Sequence, residues 1–135
     1  MFTIKRKVNF FNCDPAGIMF YGNIFYFCHS AYENLISSLD LDFDYWNNDD
    51  FFVPIVHSSA DYLKPLKYED DVVIEINVTQ LKESSFELSY NCKNQLGELC
   101  ANVKTVHVFI NKDTWKKKKM DITINEGLKS HKTQN

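Results

Sequence analysis

The sequence predicts a single α+β domain in which an antiparallel sheet wraps around one long central helix. Three observations predict it: one helical repeat early in the chain, four alternating apolar segments after it, and short polar breaks between those segments. A length of 135 residues fits one domain covering 1–135. Hydrophobic residues make up 44%, which suffices for a core, and the low counts of Gly and Pro (4 and 3) favour regular structure.

The first third of the chain is predicted to contain a strand, a turn and a helix. Residues 2–11 alternate loosely between apolar and polar types, which indicates a strand. The turn formers in "NCDPAG", residues 12–17, interrupt it. A helix is then expected from about residue 21 to residue 39, and its apolar face should pack onto the sheet. That face consists of residues at three-and-four spacing: Ile24, Phe27, Cys28, Ala31 and Leu35.

The second half is predicted to be all β. Turn-forming breaks separate the four expected strands, which cover residues 51–63, 70–81, 85–92 and 98–110. Alternation is clearest in the second of them, where one face carries Val72, Ile74, Ile76 and Val78. The short connections favour an antiparallel meander. The polar tail from about residue 123 is expected to fray.

Charge and composition argue against several classes of protein. A formal net charge of −3 does not favour nucleic acid as a partner, and no apolar run reaches the ~18 residues of a membrane span. The start "MFTIKRKVNF" alternates as a strand does and lacks the apolar region of a signal peptide, so we expect a cytoplasmic protein. The four cysteines form no CxxC pair and are expected to be reduced. No metal site is expected, because His, Cys and Asp lack metal-ligand spacing.

One loop carries a resemblance to a known family. The stretch "CDPAGIMFYGN", residues 13–23, ahead of a long helix, resembles the signature loop of the 4-hydroxybenzoyl-CoA thioesterase family, which has the hotdog fold. Residues 53–76 are similar to the family's second strand, turn and third strand. The segments "CHSAYENLI", "SFELSY" and "TVHVFI" most resemble the branch that hydrolyses 1,4-dihydroxy-2-naphthoyl-CoA in menaquinone and phylloquinone biosynthesis. The resemblance covers about residues 5–110 and implies an acyl-CoA thioesterase whose only CoA is part of its substrate, with no separate cofactor.

Asp14 is the candidate catalytic carboxylate. The resemblance implies that it attacks the thioester carbonyl or activates a water, and the sequence leaves both roles open. The alternative interpretation is a turn aspartate that hydrogen-bonds its own loop, as is common before Pro. Glu33 is the other helix carboxylate, but it lies roughly 18 Å along the axis from Tyr21, so we expect a solvated or interface residue.

The start of the helix is the candidate oxyanion site. The first N–H groups of a helix have no partner within it and carry partial positive charge. The resemblance assigns the oxyanion donor to the backbone N–H of Tyr21. Gly22 would let the substrate approach closely, although it could simply relieve a tight helix start. Asn23 is a further candidate for the polar lining of the site.

Four more residues are candidates for substrate binding. His29 lies eight residues past Tyr21, about 12 Å along the helix, which suits the distal end of an aromatic acyl group or, alternatively, an ordinary helix histidine. His57 and Ser58 lie on the strand that lines the acyl pocket in the resembled family, although ordinary strand packing is an alternative. His107 is expected to be structural. Lys82, in the turn "LKESSF", is the candidate for a CoA phosphate, and the lysine run at 116–119 is either a second one or a solvated loop.

The sequence leaves alternative functions to weigh and predicts an oligomeric state. A general short- or medium-chain acyl-CoA thioesterase and a non-catalytic acyl-binding hotdog module remain alternatives. A hotdog dehydratase would need a His on the loop before the helix, which this loop lacks. The resemblance implies a homodimer or homotetramer with sites at the subunit interface, and an open sheet edge also favours association.

Overall fold

The computed structural model describes residues 1–133, which form an antiparallel sheet with two α-helices, so the α+β class is confirmed. The five long strands pair in the order β1–β4–β5–β6–β3, every neighbour antiparallel. Their bounds are β1 (Phe2–Lys7), β3 (Ile55–Tyr62), β4 (Asp71–Leu81), β5 (Ser85–Lys93) and β6 (Leu99–Val108). Two short strands, β2 (Phe51–Phe52) and β7 (Ile110–Asn111), pair separately.

The core lies between helix α1 (Asn23–Ser38) and the inner face of the sheet. The predicted helical stripe is buried, with Ala31 and Leu35 fully so. The alternation predicted for β4 is confirmed, since Val72, Ile74, Ile76 and Val78 are all fully buried. These side chains pack against the inward residues of β5, which are Phe86, Leu88, Tyr90 and Cys92.

Three boundaries differ from those expected, each for a local reason. The first strand ends at Lys7, because Asn12 Oδ1 accepts from the Asn9 N–H and closes a short 3₁₀ turn over Phe10–Asn12. Helix α1 begins at Asn23 instead of residue 21, after a turn in which the Asn23 N–H donates to the Phe20 carbonyl. The strand predicted at 51–63 is split into β2 and β3 at Pro54, which has no N–H for a ladder.

The expectation of a frayed tail is wrong for the part of the tail within residues 1–133. Residues Ile122–Lys129 form helix α2, which contacts β4. Asp121 caps it by accepting the Thr123 N–H, and Ile124 and Leu128, one turn apart, are fully buried. The buried pair and the cap stabilise this helix despite the polar composition that suggested fraying. Gln134 and Asn135 lie outside the described residues.

Candidate active site

The Asp14 loop is a tight turn closed by its own hydrogen bonds. The Asp14 N–H donates to the Ile18 carbonyl at 2.9 Å, and the Gly17 N–H donates to the Asp14 carbonyl at 3.0 Å. Gly17 has φ +77°, a left-handed conformation that favours glycine. Asp14 Oδ1 accepts the Ala16 N–H at 2.9 Å, so the turn role weighed as an alternative is present. Its second oxygen, Oδ2, has no hydrogen-bond partner within residues 1–133.

Two hydrogen bonds hold this loop against the start of α1. The Asn12 carbonyl accepts both the Phe20 N–H at 2.9 Å and the Asn23 side-chain amide at 2.7 Å. Asn23 therefore acts as a tie between loop and helix. The amides of Tyr21 and Gly22 have no hydrogen-bond partner among residues 1–133, and they lie at the positive end of the helix.

Glycine at position 22 avoids a close contact with the Phe20 ring. A Cβ there would lie 3.1 Å from Cε2 of the Phe20 ring. Gly22 is also the N-cap residue of α1, with no side chain to occupy the space in front of the free amides. Relief of crowding and access to the amides are thus both consequences of the same missing side chain.

A cavity of about 340 Å³, called here the Tyr21 cavity, opens beside this helix start. Tyr21 and Ile24 line it from α1, and Tyr62 and Lys64 from the end of β3 and the loop after it. The Tyr62 hydroxyl donates to the Tyr21 carbonyl at 2.6 Å, which joins β3 to the turn. The neighbouring Glu98 carboxylate, hydrogen-bonded to the Lys64 ammonium, raises the pKa of Lys64.

A second cavity of about 580 Å³, the His29 cavity, lies between α1 and the sheet. The helix contributes Phe25, Tyr26, Cys28, His29, Ser30 and Glu33, and the sheet contributes Ile55, Ser58, Tyr90 and Thr105. His29 is half-exposed, with Nε2 3.9 Å from the Glu33 carboxylate. Glu33 is exposed as expected, but it also lines this cavity.

The structure does not bring His57 or Lys82 to either cavity. A β-bulge at Val56 shifts the register of β3, so that Ile55 and Ser58, instead of Ile55 and His57, share a face. His57 pairs with Val106 and is exposed on the other side of the sheet. Lys82 is exposed in the turn between β4 and β5. The bulge is the physical reason that His57 lines neither cavity of its own subunit, and its role in substrate binding stays a prediction.

Buried polar side chains form the floor of the His29 cavity. The Tyr90 hydroxyl lies 2.9 Å from Thr105 Oγ1, which lies 2.7 Å from Nε2 of His107. His107 is fully buried, in keeping with the structural role expected for it. Burial, and secondly the charge of His29, lowers the pKa of His107 to about 3, so its ring is neutral near pH 7.

Sequence reasoning missed Tyr62, Lys64, Tyr90 and Thr105. The available signal for Thr105 was its polarity at an inward position of "TVHVFI", two residues from His107. Lys64 follows Tyr62 closely, but only the turn of the chain after β3 brings both beside Tyr21.

Residues 1–133 show neither a metal site nor a membrane-spanning helix. No group of three or more His, Cys, Asp or Glu side chains there is arranged to hold a metal ion. No helix in that range is long and apolar enough to cross a membrane. All four cysteines are free, and the buried Sγ atoms of Cys28 and Cys92 lie 3.9 Å apart.

Comparison with known proteins identifies the family. Residues 8–128 match the model of the thioesterase-like superfamily. The 1,4-dihydroxy-2-naphthoyl-CoA hydrolase of Crocosphaera subtropica is 32% identical over 132 residues, covering 96% of each chain, and that of Rippkaea orientalis is 30% identical, covering 93% of each. The crystal structure of a 1,4-dihydroxy-2-naphthoyl-CoA thioesterase from Synechocystis superimposes with a TM-score of 0.87 at 28% identity, covering 94% of each chain. The chain therefore belongs to the thioesterase-like superfamily and has the hotdog fold that the Asp14 loop predicted.

Proposed function

We propose that the protein is a thioesterase that hydrolyses an aromatic acyl-CoA, with 1,4-dihydroxy-2-naphthoyl-CoA as its substrate in quinone biosynthesis. The products are the free acid and CoA. One observation carries this proposal: the likeness to the Crocosphaera hydrolase covers 96% of both chains. Such coverage leaves out only a few terminal residues, so it includes the Asp14 loop, α1 and every strand that lines the His29 cavity.

Asp14 supplies the carboxylate of the proposed reaction. Either it attacks the thioester carbonyl carbon, forming an acyl anhydride that water then hydrolyses, or it takes a proton from the water that attacks. In both cases the C–S bond breaks and CoA leaves as a thiolate. Oδ1 holds the turn through Ala16, while Oδ2 is unpartnered within residues 1–133, so the turn role and the chemical role use different oxygens.

The backbone amide of Tyr21 is the proposed oxyanion donor. As the carbonyl carbon becomes tetrahedral, negative charge develops on its oxygen, and donors already aimed at that position stabilise it. The Tyr21 and Gly22 amides are unpartnered in the described chain and lie at the positive end of α1. The absence of a side chain at Gly22 leaves room for the thioester.

The two cavities suit the two halves of the substrate. A volume of about 580 Å³ lies within the range of small-molecule sites, and the His29 cavity is lined largely by apolar and aromatic groups. We place the acyl ring there, with His29 and Ser58 as its polar contacts, and the start of the CoA chain in the Tyr21 cavity; Asn23 supports the site through its tie to the Asn12 carbonyl. Lys64 at the edge of the Tyr21 cavity offers a positive charge for CoA.

The complete site is proposed to need a second copy of the chain in a homodimer or homotetramer. Asp14 lines neither cavity of its own chain, so a carboxylate from a partner would complete the site. Strand β3 is at an edge of the sheet, and seven of its eight residues are exposed. An exposed edge favours pairing with another chain, and His57 would lie at that boundary.

Thiol release from a panel of acyl-CoAs tests the proposal. We expect turnover of 1,4-dihydroxy-2-naphthoyl-CoA with kcat/KM well above that for butyryl-CoA and octanoyl-CoA. A preference for the aliphatic thioesters would identify a general acyl-CoA thioesterase. Binding of the naphthoyl thioester without release of thiol would identify a non-catalytic acyl-binding module, and either result contradicts the proposal.

A further inference from the structure

Three polar side chains form a continuous hydrogen-bonded chain under the His29 cavity. Tyr90 on β5 contacts Thr105 on β6, which contacts His107 two residues further along. Tyr90 and Thr105 line the cavity, whereas His107 lies behind them and is fully buried. The mechanism proposed above uses none of the three.

The number of protons in this chain exceeds the number of its hydrogen bonds. Neutral His107 carries one N–H, and Tyr90 and Thr105 each carry one O–H, which makes three protons. Two hydrogen bonds join the three residues. One proton is therefore left over, and it is on His107 Nδ1 or on one of the two hydroxyls.

The surroundings of His107 decide where the spare proton is. Its ring stacks on Phe86 at 4.5 Å with an interplanar angle of 4°, and the Tyr32 ring lies at 4.4 Å. Nδ1 is buried and has no partner within the described chain. An orphaned buried N–H is rarer and less favourable than an orphaned acceptor, so the unpartnered Nδ1 favours the tautomer in which Nε2 carries the proton and donates it to Thr105. The spare hydrogen then belongs to Tyr90 or Thr105, and both face the cavity.

We infer that Tyr90 and Thr105 form a recognition site for an acceptor oxygen on the acyl ring, oriented by His107 as a positioning residue. The inference rests on the proposed function, since it concerns the ring of the same aromatic substrate. The lining of the cavity begins at Phe25, in the first turn of α1 and four residues past the proposed oxyanion donor. A ring attached to the thioester carbonyl can reach that point.

The class of ligand follows from the free donor. A hydroxyl or carbonyl oxygen on the ring accepts the spare hydrogen, whereas an unsubstituted ring leaves the donor buried and unpaired. A site built to hydrogen-bond a substrate group discriminates strongly against analogues that lack it. We therefore expect the protein to favour ring-oxygenated aroyl-CoAs over matched hydrocarbon rings by about 10- to 100-fold in kcat/KM.

The test compares 1,4-dihydroxy-2-naphthoyl-CoA with 2-naphthoyl-CoA, which differ only in ring oxygens. In Thr105→Val, a change of similar shape, the ratio of the two kcat/KM values should fall to within about threefold of one, chiefly through a higher KM for the dihydroxy substrate. Thr79→Val is the control, because Thr79 is another strand threonine whose hydroxyl contacts Glu87 away from the cavity. The control should keep the wild-type ratio.

A second variant and a binding measurement keep the test independent of folding and of turnover. Tyr90→Phe removes only a hydroxyl, and it should lower the ratio as Thr105→Val does. Fluorescence titration of the wild type with 1,4-dihydroxy-2-naphthoate and with 2-naphthoate should show the same preference. If wild type turns over both thioesters with a ratio near one, or if both variants keep the wild-type ratio, the inference is wrong. Absence of turnover for both thioesters contradicts the proposed function instead, and the titration then decides the recognition site alone.

Discussion

Two regions beside α1 differ in the groups that form them: the helix start with its Asp14 loop, called here the Tyr21 end, and the His29 cavity, called the His29 end. At the Tyr21 end, the polar groups are backbone amides and one carboxylate in a self-bonded loop, and the Phe20 and Tyr21 side chains are largely exposed. At the His29 end, the polar groups belong to side chains on two strands, and Tyr90 and His107 are almost fully buried. A site whose hydrogen-bond donors are backbone amides tolerates side-chain changes. A cavity floor of buried side-chain hydroxyls instead depends on individual oxygen atoms.

The largest expected effect is at Asp14, the proposed catalytic carboxylate. Asp14→Asn keeps an acceptor for the Ala16 N–H, and hence the turn, but removes the charge. We expect kcat for thioester hydrolysis to fall about 10³-fold or more, measured by thiol release. Asp44→Asn is the matched control, because Asp44 Oδ1 also accepts the N–H two residues on, that of Trp46. Full activity in Asp14→Asn would leave Asp14 with its turn role alone.

The second-largest expected effect is a pH dependence of the unfolding free energy, which arises from His107 at the His29 end. The folded-state pKa of His107, about 3, is below the ordinary value of 6.5, so protonation favours unfolding. The stability that depends on neutral His107 is fully present above pH 6.5 and is lost as the pH falls towards 3. At pH 4 the unfolding free energy is lower by about 3 kcal/mol. Burial raises the pKa of Tyr32, whose ring packs on His107, so Tyr32 does not titrate there. Besides burial, the charge of His29 lowers the pKa of His107.

Denaturant unfolding at pH 7 and pH 4 measures this contribution. His107→Phe should reduce the loss of unfolding free energy between the two pH values, while carboxylates titrate equally in both proteins and cancel in the difference. His57→Gln, a change at an exposed histidine, should leave the loss as in the wild type. An unchanged pH dependence in His107→Phe would show that His107 is not the group responsible.

A smaller effect tests whether the Asp14 loop must keep its shape. Gly17 and Gly97 both have φ +77°, and a Cβ at either would meet no atom within 4 Å. Replacing each by Ala should therefore lower the unfolding free energy by a similar amount, about 1 kcal/mol. Only Gly17→Ala should also lower kcat, because only Gly17 orients Asp14. Equal activity in both variants would contradict the link between loop shape and catalysis.

The smallest effect is at Tyr21 itself. Its amide is the proposed donor, so Tyr21→Phe should change kcat by less than about twofold. Tyr62→Phe is an informative companion, since it removes the hydroxyl that donates to the Tyr21 carbonyl. A few-fold decrease there, with little change in Tyr21→Phe, would confirm that the backbone of this turn matters more than its side chain.

Local pattern predicted much of the fold and part of the site. The alternation of β4 and the stripe of α1 were readable because each repeats over several turns or pairs. The Asp14 loop was readable because turn formers are grouped in one short stretch. Helix α2 was missed, since a single buried pair, Ile124 and Leu128, is a weak signal among polar neighbours.

The sequence by itself determined the family and the α+β class, and it predicted the Asp14 loop ahead of the helix start, because these depend on residues adjacent in the chain. Tertiary structure decided which strand residues line the His29 cavity. One extra residue at Val56 exchanges His57 for Ser58, and no property of a single strand reveals a bulge that is defined against its partner. The pairing of β5 with β6 likewise brought Tyr90 to Thr105, 15 residues apart in the chain. The position of the hydroxyls at the cavity floor is thus a property of the assembled sheet.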